Sequence, residues 1–457
     1  MPHIAIFDIG KTNKKFLVFD EGYRLVHAVR TELPETTDEA GFPAEDLHAL
    51  TAWMDDTLAG ALADPSLDIR ALNFSAYGAT WVCIDAAGQP LTPVYSYLKP
   101  LPQPVHAAFW GQHDPDGDLA LRTASPDLGF LNAGMQLFWL GMEQPEVFAR
   151  IDRALFLPQY LSYRYTGQPL TEYTGVGCHT LLWDLGQRAY APWVAASGVG
   201  ERLGWPAPTT TAQAVWLHGR RLLVGGGIHD SSAALLSFRR SGGQPFVLLS
   251  TGTWCIALNP FDETPLTAAA LADDGLCYLD DQGRAVKAAR LFLGEEYRVQ
   301  TARLAAHFGR DADAHRQVQP DAALLAAVRE APAFVPQCID TVAGLRSLRA
   351  QPPNDLRAFA SYEAAYHRLM TDLVGWQVYS LRQVLGTARQ VLVTGGFCDN
   401  ALYLHLLAAA LPGVSVAVSR LAEASALGAA LLLHEQWLPT GAALPDLAAT
   451  PVRQPGA

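Results

Sequence analysis

"IAIFDIGKTNKKFLVFD" (4–20) decides how this chain is read. It contains Gly10, Lys11 and Thr12, the closing letters of a Walker A loop, G-x-x-x-x-G-K-[ST]. Counting back from Gly10, the first glycine of that loop should stand at residue 5, which is Ala5. The loop must also open a helix, whereas the β-favouring "FLVFD" (16–20) follows. The Walker A reading fails on both counts. The short apolar run, polar glycine turn and apolar return read instead as strand, turn, strand. Such a hairpin is either a plain turn or one that grips phosphate through backbone N–H groups. In the second case Asp8 is placed to hold Mg²⁺, often through water; in the first it caps the turn.

A second stretch has the same design. In "FVLLSTGTWCIALN" (246–259) an apolar run leads into Ser250, Thr251, Gly252 and Thr253, and "WCIALN" returns. Hydroxyls and glycine N–H groups in one tight turn make an anion cradle. The two hairpins lie about half a chain apart and read as the openings of two related domains. Facing each other, they would hold a nucleotide's phosphate chain from both sides.

The bulk composition fits this picture. With 457 residues, the chain has room for about two to three domains. Half of it is hydrophobic and 17% is charged, the profile of a globular protein. A net charge of -12 argues against sequence-independent nucleic-acid binding but not against phosphate ligands. The six cysteines show no C-x-x-C and no zinc spacing, which reads as reduced, buried thiols. "MPHIAIFDIG" lacks the basic start and long apolar core of a signal peptide, and no uncharged apolar stretch is long enough to span a bilayer. A cytoplasmic protein without membrane or nucleic-acid partners, monomer or homodimer, is expected.

Strand-like and helix-like segments alternate along the chain, which favours an α/β class. "IRALNFSAYGATWVCID" (69–85) reads as strand, turn, strand, and "LGFLNAGMQLFWLGM" (128–142) has helical spacing. Tyr362, Tyr366, Leu369, Leu373 and Trp376 form one face of a long helix, with Gly386 as its stop. The Pro- and Ala-rich stretch after Trp437 reads as a loose tail.

Three further segments carry candidate chemistry. In "GGGIHDSSAALL" (225–236) Asp230 sits at the first turn of a helix, either as an N-cap or as a general base for a substrate hydroxyl. His229 beside it either orients substrate or is an ordinary hydrogen-bonded histidine. "TGGFCDN" (394–400), between a strand and a helix, offers bare backbone to an adenosine moiety, and no G-x-G-x-x-G supports a Rossmann site. "EASALGAALLL" (423–433) permits close helix packing or direct nucleotide contact.

These pieces, in this order, resemble the FGGY family of carbohydrate kinases within the actin-like ATPase superfamily. The resemblance runs over roughly residues 4–435. "DIGKTNKK" (8–15) looks like the family's first phosphate hairpin and "STGTW" (250–254) like its second. "LFLPQYLSYRYTG" (155–167) and "TEYTGVGCHTLLWDL" (171–185) resemble its first-domain segments, the latter near the sugar. "GGGIHDSSAAL" (225–235) resembles the segment carrying the catalytic Asp. "TGGFCDN" and "EASALGAALL" resemble the adenosine region. Within the family the motifs are similar to rhamnulokinase and fuculokinase-like members. The chain departs from them at Ser75 and Thr80, where those members carry acids beside the sugar, at "LKPLPQP" (98–104), and at Phe397, where a third glycine is usual.

The resemblance implies two actin-like (ribonuclease H-like) α/β domains with a catalytic cleft between them. These are a sugar-binding domain over 1–243, a nucleotide-binding domain over 244–440 and a tail over 441–457. It implies phosphorylation of a small sugar by ATP with Mg²⁺, the sugar being a deoxyketose or pentulose, with a polyol kinase or a non-catalytic sugar sensor as alternatives. Asp230 would be the catalytic base and Asp8 the metal ligand. Gly10, Lys11, Thr12, Lys14, Thr251, Gly252 and Thr253 would hold phosphates. Gly395, Gly396 and Asn400 would meet adenosine, and Thr80, Trp81, Gln136 and His229 the sugar.

Overall fold

The computed structural model describes residues 1–240, 244–439, 441–445, 447 and 449–452. It divides into two compact units. The first is Met1–Gly242 with Cys277–Ala285 and Glu423–Asp446; the second is Gly243–Leu276 with Val286–Ala422 and Leu447–Ala457. The expected boundary near 243 falls on residues 241–243, outside the described residues, as do 446, 448 and 453–457 of the expected tail.

The first unit opens with the hairpin of β1 (Pro2–Ile9) and β2 (Asn13–Asp20), followed by β3 (Leu25–Glu32). Helix α1 (Leu47–Ala63) leads to β4 (Asp68–Ala76), and β5 (Ala212–Leu217), β6 (Arg220–Gly225) and the short β7 (Ile228–His229) come much later. The strand order is β5-β6-β4-β1-β2-β3, with β7 also pairing with β4. β1 is buried along nearly its whole length, hence a continuous apolar run rather than a half-buried alternation. Asp46 caps α1 by accepting the Ala49 N–H, and Leu50, Met54, Leu58 and Leu62 form its buried stripe in one core with Phe7, Phe16 and Phe74. Helix α2 (Asp230–Arg240) begins directly after β7, so the strand end and the helix start share one short bend.

The second unit repeats the plan. Its strands are β8 (Phe246–Thr251), β9 (Cys255–Asn259) and β10 (Ala285–Leu291), then β11 (Gln390–Gly395) and β12 (Ser415–Val418) after helices α3 (Leu293–Phe308) and α4 (Tyr362–Arg382). Helix α5 (Ala401–Ala410) joins the last two strands. They lie in the order β10-β9-β8-β11-β12. In both units an antiparallel three-strand meander is extended from its first strand by parallel strands. The similarity of the two hairpins in sequence therefore reflects a shared topology.

Tyr362, Tyr366, Leu369, Leu373 and Trp376 are all buried on α4, and Ser361 caps the helix through the Ala364 N–H. The helix ends at Arg382, and Gly386 serves the turn beyond with φ +51°. The 128–142 segment is shorter as a helix than expected: Ala133–Glu143 follows a 3₁₀ turn at Gly129–Leu131. The tail is not wholly loose, because Thr450 and Pro451 pair with Val418 and Ala417 as an added edge strand. All six cysteines are free, five of them buried. Among the described residues no helix is long and apolar enough to cross a membrane.

Candidate active site

In the first unit Asp8 lies near the end of β1, opposite Lys15 on β2 and Ser75 on β4. Its side chain is buried, 3.6 Å from the Lys15 ammonium, and accepts a 3.0 Å hydrogen bond from the Ser425 hydroxyl. Burial raises its carboxyl above the usual carboxylate range; the nearby Asp230 charge adds to this and Lys15 opposes it. The Ser75 hydroxyl lies beside Asp8, fully buried and without a well-formed hydrogen bond. A buried carboxyl flanked by two serine hydroxyls is an all-oxygen set of the kind a hard divalent cation takes.

The three lysines of the hairpin have separate fates. Lys11 pairs with Glu35 and lies over the Tyr77 ring. Lys14, expected at phosphate, is buried instead: its ammonium is 3.0 Å from Glu45 and donates to the Lys11 carbonyl at 2.9 Å. Lys15 is the basic residue beside Asp8, and it is held at 2.8 Å by Glu423, which also takes Arg30 at 2.9 Å. The sequence carried a signal for this. A hairpin centred between residues 11 and 12 sets 8 against 15, and side chains alternate along β2, so Lys14 and Lys15 face opposite ways. Gly10 closes the turn by donating to the Asn13 carbonyl at 2.9 Å, and Thr12 is exposed at its tip.

Asp230 is the first residue of α2, with a side chain 34% exposed. Its Oδ1 accepts the Ser231 N–H at 2.6 Å and lies 3.3 Å from His229 Nε2. His229 is buried; its Nε2 also faces the Cys178 sulfur at 3.8 Å, and its Nδ1 lies 3.4 Å from the Ser232 hydroxyl. The backbone N–H of His229 donates to the Thr174 hydroxyl, which donates in turn to the buried Glu172 at 2.8 Å. Both ring nitrogens and the backbone N–H of His229 thus face protein partners. The phenol of Tyr97, half-buried, feels the Asp230 charge and is raised by burial and by that charge.

The other expected sugar contacts support the loop rather than face out of it. Trp81 is buried, stacked on Phe156 at 3.8 Å, and donates to the Ala133 carbonyl at 2.7 Å. Gln136 donates to the Ala79 and Phe130 carbonyls, both at 2.7 Å. These two side chains are corrected to framework positions, because their polar donors are spent holding residues 79–81 and Ala79 needs such bracing at φ +54°. Thr80 is also buried, its hydroxyl donating to Gly78 at 3.2 Å.

In the second unit the turn after β8 borders a cavity of about 530 Å³. Gly252, Thr253, Gly396, Phe397 and Asn400 line it, together with Tyr297 and His315, which carry no recognisable motif. At Gly252 and Gly396 an added Cβ would meet nothing closer than 3.7 Å, so packing does not demand glycine there and the backbone is open to a ligand. Gly395 differs: at φ +86°, a Cβ would collide with the Thr251 carbonyl, so this glycine serves the strand pairing. Thr251 is buried, donating to the Thr394 carbonyl at 2.5 Å and accepting the Phe397 N–H at 3.0 Å. Its hydroxyl is spent locally, leaving Gly252 and Thr253 as the exposed part of the turn. Asn400 caps α5 through the Tyr403 N–H and donates to the Tyr366 hydroxyl at 2.9 Å, so it shapes the wall with little left to offer. Phe397 stacks on Tyr403 at 4.5 Å and meets the Tyr297 edge at 5.1 Å. The ring that replaces a third glycine is therefore part of the cavity's aromatic wall.

Known proteins share the order of these domains. The N-terminal domain of the FGGY family of carbohydrate kinases matches residues 3–202, and the carbohydrate kinase FGGY C-terminal domain matches residues 243–440. An L-fuculokinase of Salmonella typhi is 26% identical over 299 residues. That match spans 61% of this chain and 61% of the relative, so the chain aligns with only about three-fifths of the curated relative's length. A crystal structure of a carbohydrate kinase from Novosphingobium aromaticivorans superposes with a TM-score of 0.82 at 24% identity, covering 99% of this chain and 94% of that one. A ligand-bound xylulose kinase from Lactobacillus acidophilus gives 0.77 at 15% identity over 99% and 93%. The repeated meander-plus-parallel sheet is the actin-like fold these structures share. Two matched domains in the right order, on two units of that topology, place the chain in the FGGY family of carbohydrate kinases.

Proposed function

We propose that this protein is a sugar kinase that transfers the γ-phosphoryl group of ATP to a hydroxyl of a small ketose, a deoxyketose such as fuculose or rhamnulose, or a pentulose. The first unit takes the sugar and the second the nucleotide. The observation that carries the proposal is Asp230: a part-exposed carboxylate at a helix start, anchored by Ser231 and His229, in the electrostatic field of the buried Asp8. Asp230 accepts the proton as the sugar oxygen forms its bond to phosphorus and the bond to the departing ADP oxygen breaks. In such transfers alignment and charge stabilisation outweigh the proton step.

Asp8, with Ser75 and Ser425 beside it, would hold Mg²⁺, which when bound neutralises charge on the phosphates. Lys15 balances Asp8, and Gly10 with Thr12 presents the first turn to phosphate. Gly252 and Thr253 present the second turn, and the adjoining cavity, of ordinary size for a small-molecule site, receives adenosine against Gly396, Phe397 and Tyr297. The relatedness to L-fuculokinases supports a ketose.

The test is an ADP-release screen over ketoses, polyols and aldoses, with Asp230→Ala as control. ADP release with one ketose and a loss of about 10²-fold or more in the variant are expected. Release with polyols alone would make it a polyol kinase, and silence with every sugar would make it a sensor.

A further inference from the structure

The cavity of the second unit has a wall that can be followed ring by ring from the turn after β8. The Phe397 N–H donates to the Thr251 hydroxyl at that turn, Phe397 meets the Tyr297 edge at 5.1 Å, and Tyr297 meets His315 edge-on at 5.3 Å. A nucleotide with its phosphates on Gly252 and Thr253 therefore lays its base along this wall, toward His315. Rings against a flat base give affinity but little choice among bases, because every base has a π-face. Choice needs a polar atom with one fixed role.

Most polar side chains that line the cavity are already committed. The Tyr297 hydroxyl and the Asn400 amide both meet the Tyr366 hydroxyl at 2.9 Å. The charged residues are paired: Glu295 with Arg298 at 2.5 Å, Arg316 with Asp313 and Asp399 with Arg420, both at 3.2 Å. Among the described residues lining it away from the turn, that leaves His315 and Gln319. Gln319 is exposed, and its amide both donates and accepts, so it suits any base. His315 has a single role. It stands half-buried on the 3₁₀ turn Ala314–Gln317, with Nδ1 2.9 Å from the Ala312 carbonyl. A carbonyl oxygen only accepts, so Nδ1 carries the hydrogen. Burial lowers the imidazole's pKa, with the Ala312 carbonyl and Asp313 opposing and Arg316 adding, so at about pH 8 the ring is neutral and Nε2 is a bare lone pair.

We propose that His315 determines which base this cavity takes: its Nε2 accepts a hydrogen bond from the exocyclic amine of a 6-aminopurine and rejects a 6-oxopurine, whose oxygen would meet it lone pair to lone pair. The inference rests on the assignment of this cavity to the nucleotide. Two contacts hold the ring for the task, the Nδ1–H bond to Ala312 and the edge-on approach to Tyr297. The nitrogen that is left is an acceptor that cannot turn into a donor by rotating, as the Gln319 amide can.

The test is calorimetric titration of the full chain at about pH 8 with ADP and with IDP, which carries an oxygen where ADP carries the amine. The wild type should prefer ADP by about 10-fold, as expected for one hydrogen bond exchanged for an unpaired acceptor. His315→Phe keeps the ring against Tyr297 and removes both nitrogens. It should bring the two affinities within about twofold of each other, chiefly by weakening ADP. A merely structural His315 would weaken both ligands alike and leave their ratio unchanged. Gln319→Ala should keep the wild-type ratio. The proposal falls if the wild type binds ADP and IDP equally, if the preference survives in His315→Phe, or if it is lost in Gln319→Ala instead. Absence of ADP binding, or hydrogen-exchange protection by ADP that misses 251–253 and 396–401, would sink the assignment of the cavity itself, and this inference with it.

Discussion

Asp8 is a carboxylate that the fold tolerates rather than welcomes. Its protonation is favoured by burial, so the folded state binds its proton more tightly than the unfolded chain does. Stability contributed by such a group is present at low pH and lost as pH rises through its folded-state pKa. Asp8→Asn removes that penalty. Without Mg²⁺ the variant should melt no lower than the wild type at pH 7–8, up to roughly 3 °C higher, and the gap should close toward pH 4. Its turnover and its Mg²⁺ dependence should fall together; an unchanged Mg²⁺ titration would remove Asp8 from the metal role. Lys14 and Lys15 give the opposite pairing of effects. Lys14→Met strands Glu45 as a buried charge, so it should cost about 3–5 kcal/mol in urea unfolding. Lys15→Met should leave stability nearly untouched and lower turnover, since Lys15 is part-exposed and its partners are Asp8 and Glu423. Equal losses of stability in the two variants would erase the distinction.

Among the elements, the helix Ala424–Leu432 matters most for where Asp230 sits. Gly428 lies so close to α2 that a Cβ there would collide with the Ala233 carbonyl, one turn along from Asp230. Ser237 on α2 donates to the Ala424 carbonyl at 2.6 Å, and Asn73 on β4 donates to the Ala429 carbonyl at 2.8 Å. The small residues of this stretch thus serve close packing. Gly428→Ala should destabilise by about 1–3 kcal/mol and lower kcat by shifting α2, while ADP affinity stays as it was. A selective loss of ADP affinity with normal kcat would make Gly428 a nucleotide contact instead. The hairpin of the second unit has its own brace. Gly294 at the start of α3 donates to the Thr253 carbonyl at 3.1 Å and has no room for a side chain against Gly252.

At the scale of the whole molecule, each unit has its own apolar core, and the first carries two. The cavity proposed to take the nucleotide is lined wholly by residues of the second unit, so its occupancy is testable on that unit's own segments. Hydrogen exchange with saturating ADP should slow most at 251–253, 294–298, 315–319 and 396–401, the segments that border the cavity. Protection confined to the first unit would place the nucleotide elsewhere.

Much of this was legible in the chain itself. Both hairpins, the strand, turn and helix around Asp230 and those around Gly396 are local patterns, written in glycine spacing and apolar runs that need no partner to be read. Alternation along β2 even separates Lys14 from Lys15 once the turn centre is fixed. Tertiary structure decided the rest. Trp81 and Gln136 look like exposed polar-tipped ligands until burial shows their donors already spent on backbone carbonyls. Gly395 looks like a ligand glycine until the packing shows the Thr251 carbonyl pressed against it, and of the two readings of 423–433 it is close packing that Gly428 serves. Cys178 and His229 are 51 residues apart and come within contact only because the end of β7 and the segment after Glu172 meet. Sequence specifies which groups can do chemistry, because residue type and local period are written in it. Which of them remain free to do so is a property of three-dimensional neighbours, since a polar atom satisfied by a distant carbonyl has nothing left for a ligand.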